Sequence, residues 1–121
     1  MLWTVAVKSY DKWVQFPSLF FSKEEAEQCK KEVESLLSVP ENLRVQKADM
    51  KTHTRPDHCL LCGGEPIFLA LWVASPKIAK RIGQPEGKNR MIFYALCHSC
   101  YKLPLKEPMA DMKLIKQLQV N

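Results

Sequence analysis

The chain contains 121 residues, 46% of them hydrophobic, and its 18 Lys and Arg against 13 Asp and Glu give a formal net charge of +5. This composition is typical of an ordinary globular protein with one or two small domains. The length excludes large cofactor-binding enzymes built from repeated βαβ units.

Neither a membrane span nor export is expected. The longest mostly apolar run, residues 67–74, is far shorter than the roughly 20 residues that a membrane helix needs. The first residues lack the basic and sustained apolar regions of a secretory signal, and we therefore expect a cytoplasmic protein.

Charge is distributed unevenly along the chain. Residues 1–50 contain seven Lys or Arg and eight Asp or Glu, whereas residues 51–121 contain eleven and five. The stretch from 49 to 57 is polar and has no apolar periodicity. We predict two units, residues 1–50 and residues 51–121, which can also pack together as one domain.

The strands of the first unit are predicted from alternation and composition. Residues 3–7 alternate in a pattern typical of a strand with one buried face, and residues 13–16 resume an aromatic, β-branched stretch after a turn. Another short strand is expected within residues 43–48. With one helix between the second and third strands, the first unit has the predicted order ββαβ.

The helix of this unit is predicted to begin at a capping box formed by Ser22 and Glu25. It should end before Pro40, because proline disfavours helical geometry in the residue before it. Its apolar stripe contains Ala26, Cys29, Val33, Leu36 and Leu37.

The second unit has two apolar segments, residues 67–73 and 91–96, that predict strands on either side of a short basic helix at 75–82. A C-terminal helix is expected around Pro108, which suits a first helical turn. The apolar positions of that helix are predicted to be Met109, Met112, Leu114, Ile115 and Leu118.

Four of the five cysteines form two pairs with two intervening residues each, Cys59 with Cys62 and Cys97 with Cys100. Each pair can offer two thiolates to one ion, and two pairs complete a tetrahedron with Zn–S distances of about 2.3 Å. A reducing compartment disfavours disulfides. We predict one structural Zn²⁺ held by these four residues, with a redox dithiol and an iron–sulfur cluster as alternatives.

Two glycines and two histidines lie beside the cysteine pairs in the sequence. Gly63 and Gly64 permit a tight turn in which backbone N–H groups point toward sulfur. His58 and His98 are predicted not to be ligands, because His98 lies inside the loop of the second pair and should point away from the metal. Cys29 is predicted to be a small buried hydrophobic residue.

The segments CLLCGG and ALCHSCYK resemble the paired knuckles of zinc-ribbon and treble-clef modules over roughly residues 55–101. They also resemble the zinc scaffold of HNH-type nucleases, in which Asn89 takes the place of an asparagine that leads into the second pair. No histidine lies between Cys62 and Cys97, so the general base and the metal-binding histidine of that family have no counterpart. The resemblance implies a zinc scaffold without catalysis.

We therefore predict an α+β fold in which a ββαβ sheet-plus-helix unit is followed by a zinc-ribbon or treble-clef-like unit with a C-terminal helix. The sequence contains no phosphate-binding loop, no nucleophile motif and no paired carboxylates. It therefore does not indicate an enzyme or a small-molecule substrate.

The charged residues between the cysteine pairs are predominantly basic, and Glu65 and Glu86 are the only acidic residues there. Nucleic-acid binding and a merely solvated surface are both consistent with these side chains. The candidate contact residues are Lys77, Lys80, Arg81, Lys88 and Arg90.

The functional hypothesis is a non-enzymatic, zinc-stabilised accessory or regulatory protein that contacts nucleic acid through its basic C-terminal half and a protein partner through its N-terminal part. The first alternative is a protein-interaction or inhibitor module with purely structural zinc. A degenerate HNH-type nuclease is the third.

Overall fold

The computed structural model of the chain describes residues 1–85 and 87–119, which form five strands and four helices. The mixed α+β class predicted from the sequence is confirmed. Two units are distinguished, Met1–Arg55 and Pro56–Asn121. Among the described residues, every helix is too short or too polar to cross a membrane.

The first unit contains a three-stranded antiparallel sheet with strand order β2-β1-β3. The strands are β1 (Trp3–Ser9), β2 (Lys12–Gln15) and β3 (Leu43–Lys47). Tyr10 lies in the β1–β2 turn with a φ of 58°. Together with the helix between β2 and β3, this confirms the predicted ββαβ order.

Both faces of β1 are buried, so the prediction of a single buried face is wrong. Val5 on one face, and Thr4 and Ala6 on the other, are completely inaccessible to solvent. The Thr4 hydroxyl donates a hydrogen bond to the carbonyl of Ser18 at 2.7 Å. The chain that follows β2 thus lies against the second face and provides the acceptor that the buried hydroxyl needs.

Helix α1 (Lys23–Leu36) begins as predicted at Ser22, whose hydroxyl accepts a hydrogen bond from the backbone N–H of Glu25 at 3.2 Å. Ala26 and Val33 are buried. Leu36 is exposed, so the predicted apolar stripe is wrong at this residue. The helix ends there, and the extended Leu37 is half-buried instead.

The polar segment after β3 is hydrogen-bonded to the first unit. The side chain of Gln15 accepts a hydrogen bond from the Asp49 N–H at 2.7 Å and donates one to the Thr52 hydroxyl at 3.0 Å. The His53 ring Nε2 lies 3.0 Å from the Pro17 carbonyl. Residues 49–53 are therefore part of the first unit.

The second unit contains an antiparallel hairpin of β4 (Phe68–Val73) and β5 (Met91–Leu96). Helix α2 (Pro76–Arg81) lies in the connection between these strands and is capped by Ser75. After β5 come α3 (His98–Tyr101) and α4 (Lys106–Leu118). Within β4 only Trp72 is buried, and the other five residues are half-buried.

The core of the second unit is formed where α4 packs against the hairpin. Trp72 and Leu96 are buried together with Ala110 and Leu114 of α4. The Trp72 indole N–H donates a hydrogen bond to the Asp111 carboxylate at 2.7 Å. This contact fixes the rotation of α4 about its axis.

The apolar face predicted for α4 is therefore wrong at two positions. Met109 and Met112 are 43% and 72% exposed. Leu114 is buried as predicted, and Ala110, which the prediction left out, is buried beside it.

Candidate metal centre

The first cysteine pair lies on a tight knuckle that turns at Gly63, which has a φ of 78°. The Gly63 N–H donates a hydrogen bond to the Cys59 carbonyl at 2.9 Å. The Gly64 N–H donates to the Cys62 sulfur at 3.4 Å, as the sequence predicted. A Cβ at residue 64 would lie 3.2 Å from that sulfur, so a glycine at this position allows the close approach.

The second pair lies at the junction between β5 and α3. Cys97 is the N-cap of α3, and its sulfur accepts a hydrogen bond from the Cys100 N–H at 3.4 Å. The two knuckles thus use the same device, a backbone N–H directed at a cysteine sulfur three or fewer residues away. Such bonds stabilise the thiolate that a metal ion requires.

The two knuckles are joined through the hairpin. Leu60 donates a backbone hydrogen bond to the Ala95 carbonyl at 2.8 Å, and Ile67 donates one to the Leu96 carbonyl at 3.0 Å. Cys59 also forms an isolated β-bridge with Ala95. The chain around the first pair is thereby held beside the end of β5, from which the second pair begins.

The four sulfur atoms of Cys59, Cys62, Cys97 and Cys100 all lie within 4.8 Å of one another. The Cys62 and Cys97 sulfurs are 3.5 Å apart. Sulfurs at the corners of a tetrahedron around zinc are about 3.8 Å apart when each Zn–S distance is about 2.3 Å. The cluster therefore has the size of a site for one metal ion.

The sulfurs differ in burial. Cys59 and Cys100 are buried in the core of the second unit, whereas Cys62 is exposed and Cys97 is half-buried. All four are free thiols. Two of the four candidate ligands thus belong to the hydrophobic core, so an ion held there would be coupled to the packing of this unit.

Hydrogen bonds and burial shift the pKa values of the four clustered thiols in different directions. Burial disfavours ionisation of Cys59, but backbone N–H donors, that of Cys97 first, outweigh it and lower its pKa to about 6. A hydrogen bond with the Cys97 sulfur, followed by burial, raises the pKa of Cys100 to about 12.

The two remaining thiols shift in opposite directions. The Cys100 N–H, followed by the Cys62 side chain, lowers the pKa of Cys97. For Cys62, the Gly64 N–H favours the thiolate, but the Cys97 and Cys59 side chains outweigh it and raise the pKa. Four adjacent thiolates repel one another, and a cation held between them would supply the compensating charge.

The histidines lie outside this cluster. His98 is exposed, and its ring centroid lies 6.2 Å from that of Phe68. His58 is hydrogen-bonded to the Asp57 carboxylate at 2.6 Å. The group of candidate ligands contains neither histidine. Cys29 is half-buried on α1, where burial and then Glu32 raise the pKa of its thiol.

The five predicted nucleic-acid contacts all lie in the connection between β4 and β5, and all are exposed. The strand register pairs Phe68 with Leu96 beside the cysteines and Val73 with Met91 beside the connection. The thiols and the basic residues therefore lie at opposite ends of the hairpin. The residues are Lys77, Lys80, Arg81, Lys88 and Arg90.

One feature near the centre was not found from the sequence. The rings of Phe68 and Tyr101 stack with centroids 4.0 Å apart, and the Lys106 ammonium lies 4.2 Å from the Tyr101 ring centroid. Phe68 and Tyr101 are far apart in the sequence, so no local pattern relates them. They meet because Phe68 pairs with Leu96 at the end of β5 and α3 follows directly.

A scan against protein-family models finds no matching family, and searches of curated proteins and of solved structures find no significant match. The case for a function rests on the residues themselves.

Proposed function

We propose that the four cysteines hold one structural Zn²⁺ and that the hairpin built on this site presents a basic connection to nucleic acid. The chain then acts as a non-enzymatic accessory or regulatory protein. The observation that carries the proposal is the separation along the β4–β5 hairpin of four thiols at one end and five cations at the other.

The donor set favours zinc. Four thiolates form a soft tetrahedral set typical of structural zinc sites. Four protein ligands leave no open position for water or substrate, which supports a structural role rather than hydrolysis. The order of a knuckle, a hairpin and a helix that begins at the second pair favours a treble clef over a zinc ribbon.

The basic connection is suited to phosphate contacts. Lys77, Lys80 and Arg81 are spaced i, i+3 and i+4 on α2, which directs them to one side of the helix. Within residues 1–85 and 87–119, none of the five cations pairs with a carboxylate. Cations without such partners can neutralise phosphates and release the counterions that drive binding.

Two alternatives compete with this proposal. A degenerate HNH-type nuclease lacks a histidine between Cys62 and Cys97 that could act as general base, and Asn89 precedes β5 at the end of the hairpin far from the thiols. A protein-interaction module with purely structural zinc predicts no salt-dependent binding of nucleic acid.

The test is the salt dependence of binding to fluorescent duplex DNA and single-stranded RNA, each about 20 nucleotides long, between about 50 and 200 mM salt. Binding should weaken steeply with salt. Because each lost phosphate contact lowers the slope of log K against log salt by about one, Lys80→Ala combined with Arg81→Ala should lower it by about two.

The matched control is Lys113→Ala combined with Lys116→Ala, which removes the same charge from exposed positions on α4. Its slope should stay close to that of the parent. Absence of binding at low salt, or an equal loss of slope in both double variants, would show that the connection is not the contact surface.

A further inference from the structure

The exposed apolar residues of the second unit are concentrated in one stretch of the chain. Among the described residues of this unit, six large hydrophobic side chains are exposed, and only Ile67 lies outside residues 101–112. The five in this stretch are Tyr101, Leu103, Leu105, Met109 and Met112. Apolar side chains gathered in this way are typical of a contact surface.

Helical spacing places part of this stretch on one face of α4. Met109 and Met112 follow the N-cap residue Leu105 by four and seven positions, and Lys113 and Lys116 continue the same face. Ala110 and Leu114, which pack into the core, point to the opposite side. We call Leu105, Met109, Met112, Lys113 and Lys116 the outer face of α4.

The charge of the outer face is exclusively positive. Lys113 and Lys116 are exposed and, within the part of the chain that the structure describes, pair with no carboxylate. The two acidic residues of α4 lie elsewhere. Asp111 accepts the hydrogen bond of Trp72, and both Asp111 and Glu107 act electrostatically on Tyr94 in the hairpin.

We propose that the outer face of α4 is a docking surface for an acidic amphipathic helical segment of a partner protein. Leucine and two methionines offer an adaptable apolar stripe, and methionine is common on surfaces that bind helices. The two lysines would face carboxylates on the flank of the bound helix. This surface shares no residue with the basic connection of the hairpin, and the proposal does not depend on nucleic-acid binding.

The same observations disfavour other occupants. A second copy of this chain that paired through the same face would gather four lysines in one interface that has no carboxylate of the outer face to pair with them. A membrane-surface helix has a broad apolar face rich in Trp, Phe or Leu, and this face of α4 has two methionines and one leucine.

The test uses a fluorescent, stapled helical peptide about four turns long, with leucines at i, i+3, i+4 and i+7 and glutamates on the flanks. The control peptide has glutamine in place of each glutamate. Binding to the full zinc-loaded chain is measured by anisotropy. The acidic peptide should bind at least about tenfold more tightly than the control, because charge complementarity discriminates between them.

Two test variants, each with a matched control, show whether the peptide binds at the outer face of α4. Met112→Gln should weaken binding of the acidic peptide about fivefold by removing apolar contact, whereas the matched Met50→Gln, exposed in the first unit, should have no effect. Lys113→Gln combined with Lys116→Gln should remove most of the preference for the acidic peptide. The matched Lys77→Gln combined with Lys80→Gln should preserve it.

Several outcomes would overturn the proposal. These are no binding of the acidic peptide, equal binding of the glutamine peptide, and equal effects of the matched variants. A dimer in sedimentation equilibrium that Met112→Gln dissociates would assign the face to a second copy. Met112-dependent binding to phosphatidylserine vesicles, without peptide binding, would assign it to a membrane.

Discussion

Gly63 takes the first knuckle through its turn with a φ of 78°, a region that favours glycine over residues with a Cβ. A Cβ built there meets no atom within 4 Å. The requirement at this position is therefore conformational and does not arise from crowding.

Gly63→Ala should destabilise the zinc-loaded second unit by about 1 kcal/mol, since left-handed geometry costs an ordinary residue roughly that amount. Gly63→Asn should recover part of the loss, because asparagine tolerates this region. The measurement is the urea midpoint of the zinc-loaded protein. Equal midpoints for the parent and the alanine variant would contradict a left-handed backbone at residue 63.

The environment of Tyr94 makes the stability of the second unit depend on pH. Burial, followed by the charges of Glu107 and Asp111, raises the pKa of its phenol. Above pH 10 the unfolded chain releases this proton while the folded chain retains it, which favours unfolding. This contribution to stability is complete below pH about 10 and is lost as the pH rises toward the folded pKa.

The measurement for Tyr94 compares urea unfolding of the zinc-loaded parent and the Tyr94→Phe variant at about pH 8 and pH 10.5. The parent should lose more stability than the variant over this interval. Identical losses in the two proteins would mean that the phenol is not protected from ionisation.

The secondary-structure elements show which features sequence patterns can predict. Capping by Ser22 and the spacing within each cysteine pair are local, so the start of α1 and the four candidate ligands follow from residues a few positions apart. The face of α4 is not local, because it depends on the Asp111 hydrogen bond to Trp72 in the hairpin. A prediction from apolarity alone therefore placed Met112 on the buried face of α4, whereas its side chain is exposed.

The cap of α1 provides a prediction for a single element. Ser22→Ala should reduce the stability of the first unit by about 1 kcal/mol, since it removes the acceptor for the Glu25 N–H. The matched control is Ser35→Ala in the same helix, where the hydroxyl donates to the Glu32 carbonyl and contributes little. Amide hydrogen exchange of α1 is the measurement, and equal protection in both variants would contradict a role for the cap.

At the scale of the whole molecule, the two units have cores of different kinds. Val5, Phe16 and Val33 are buried in the first unit, which contains none of the four clustered cysteines. The second unit includes Cys59 and Cys100 in its core. Because two of the four candidate ligands are core residues of the second unit, metal binding is expected to be coupled to the folding of that unit alone.

The metal content of the purified full chain tests the proposed zinc site most directly. Elemental analysis should find one zinc per chain, retained in Cys29→Ser and lost in Cys59→Ser and Cys100→Ser. Loss should unfold the second unit, because structural zinc contributes about 10 to 16 kcal/mol of apparent binding free energy in small domains. A second unit that is fully folded without bound metal, or that holds iron and sulfide in place of zinc, would contradict a structural zinc site.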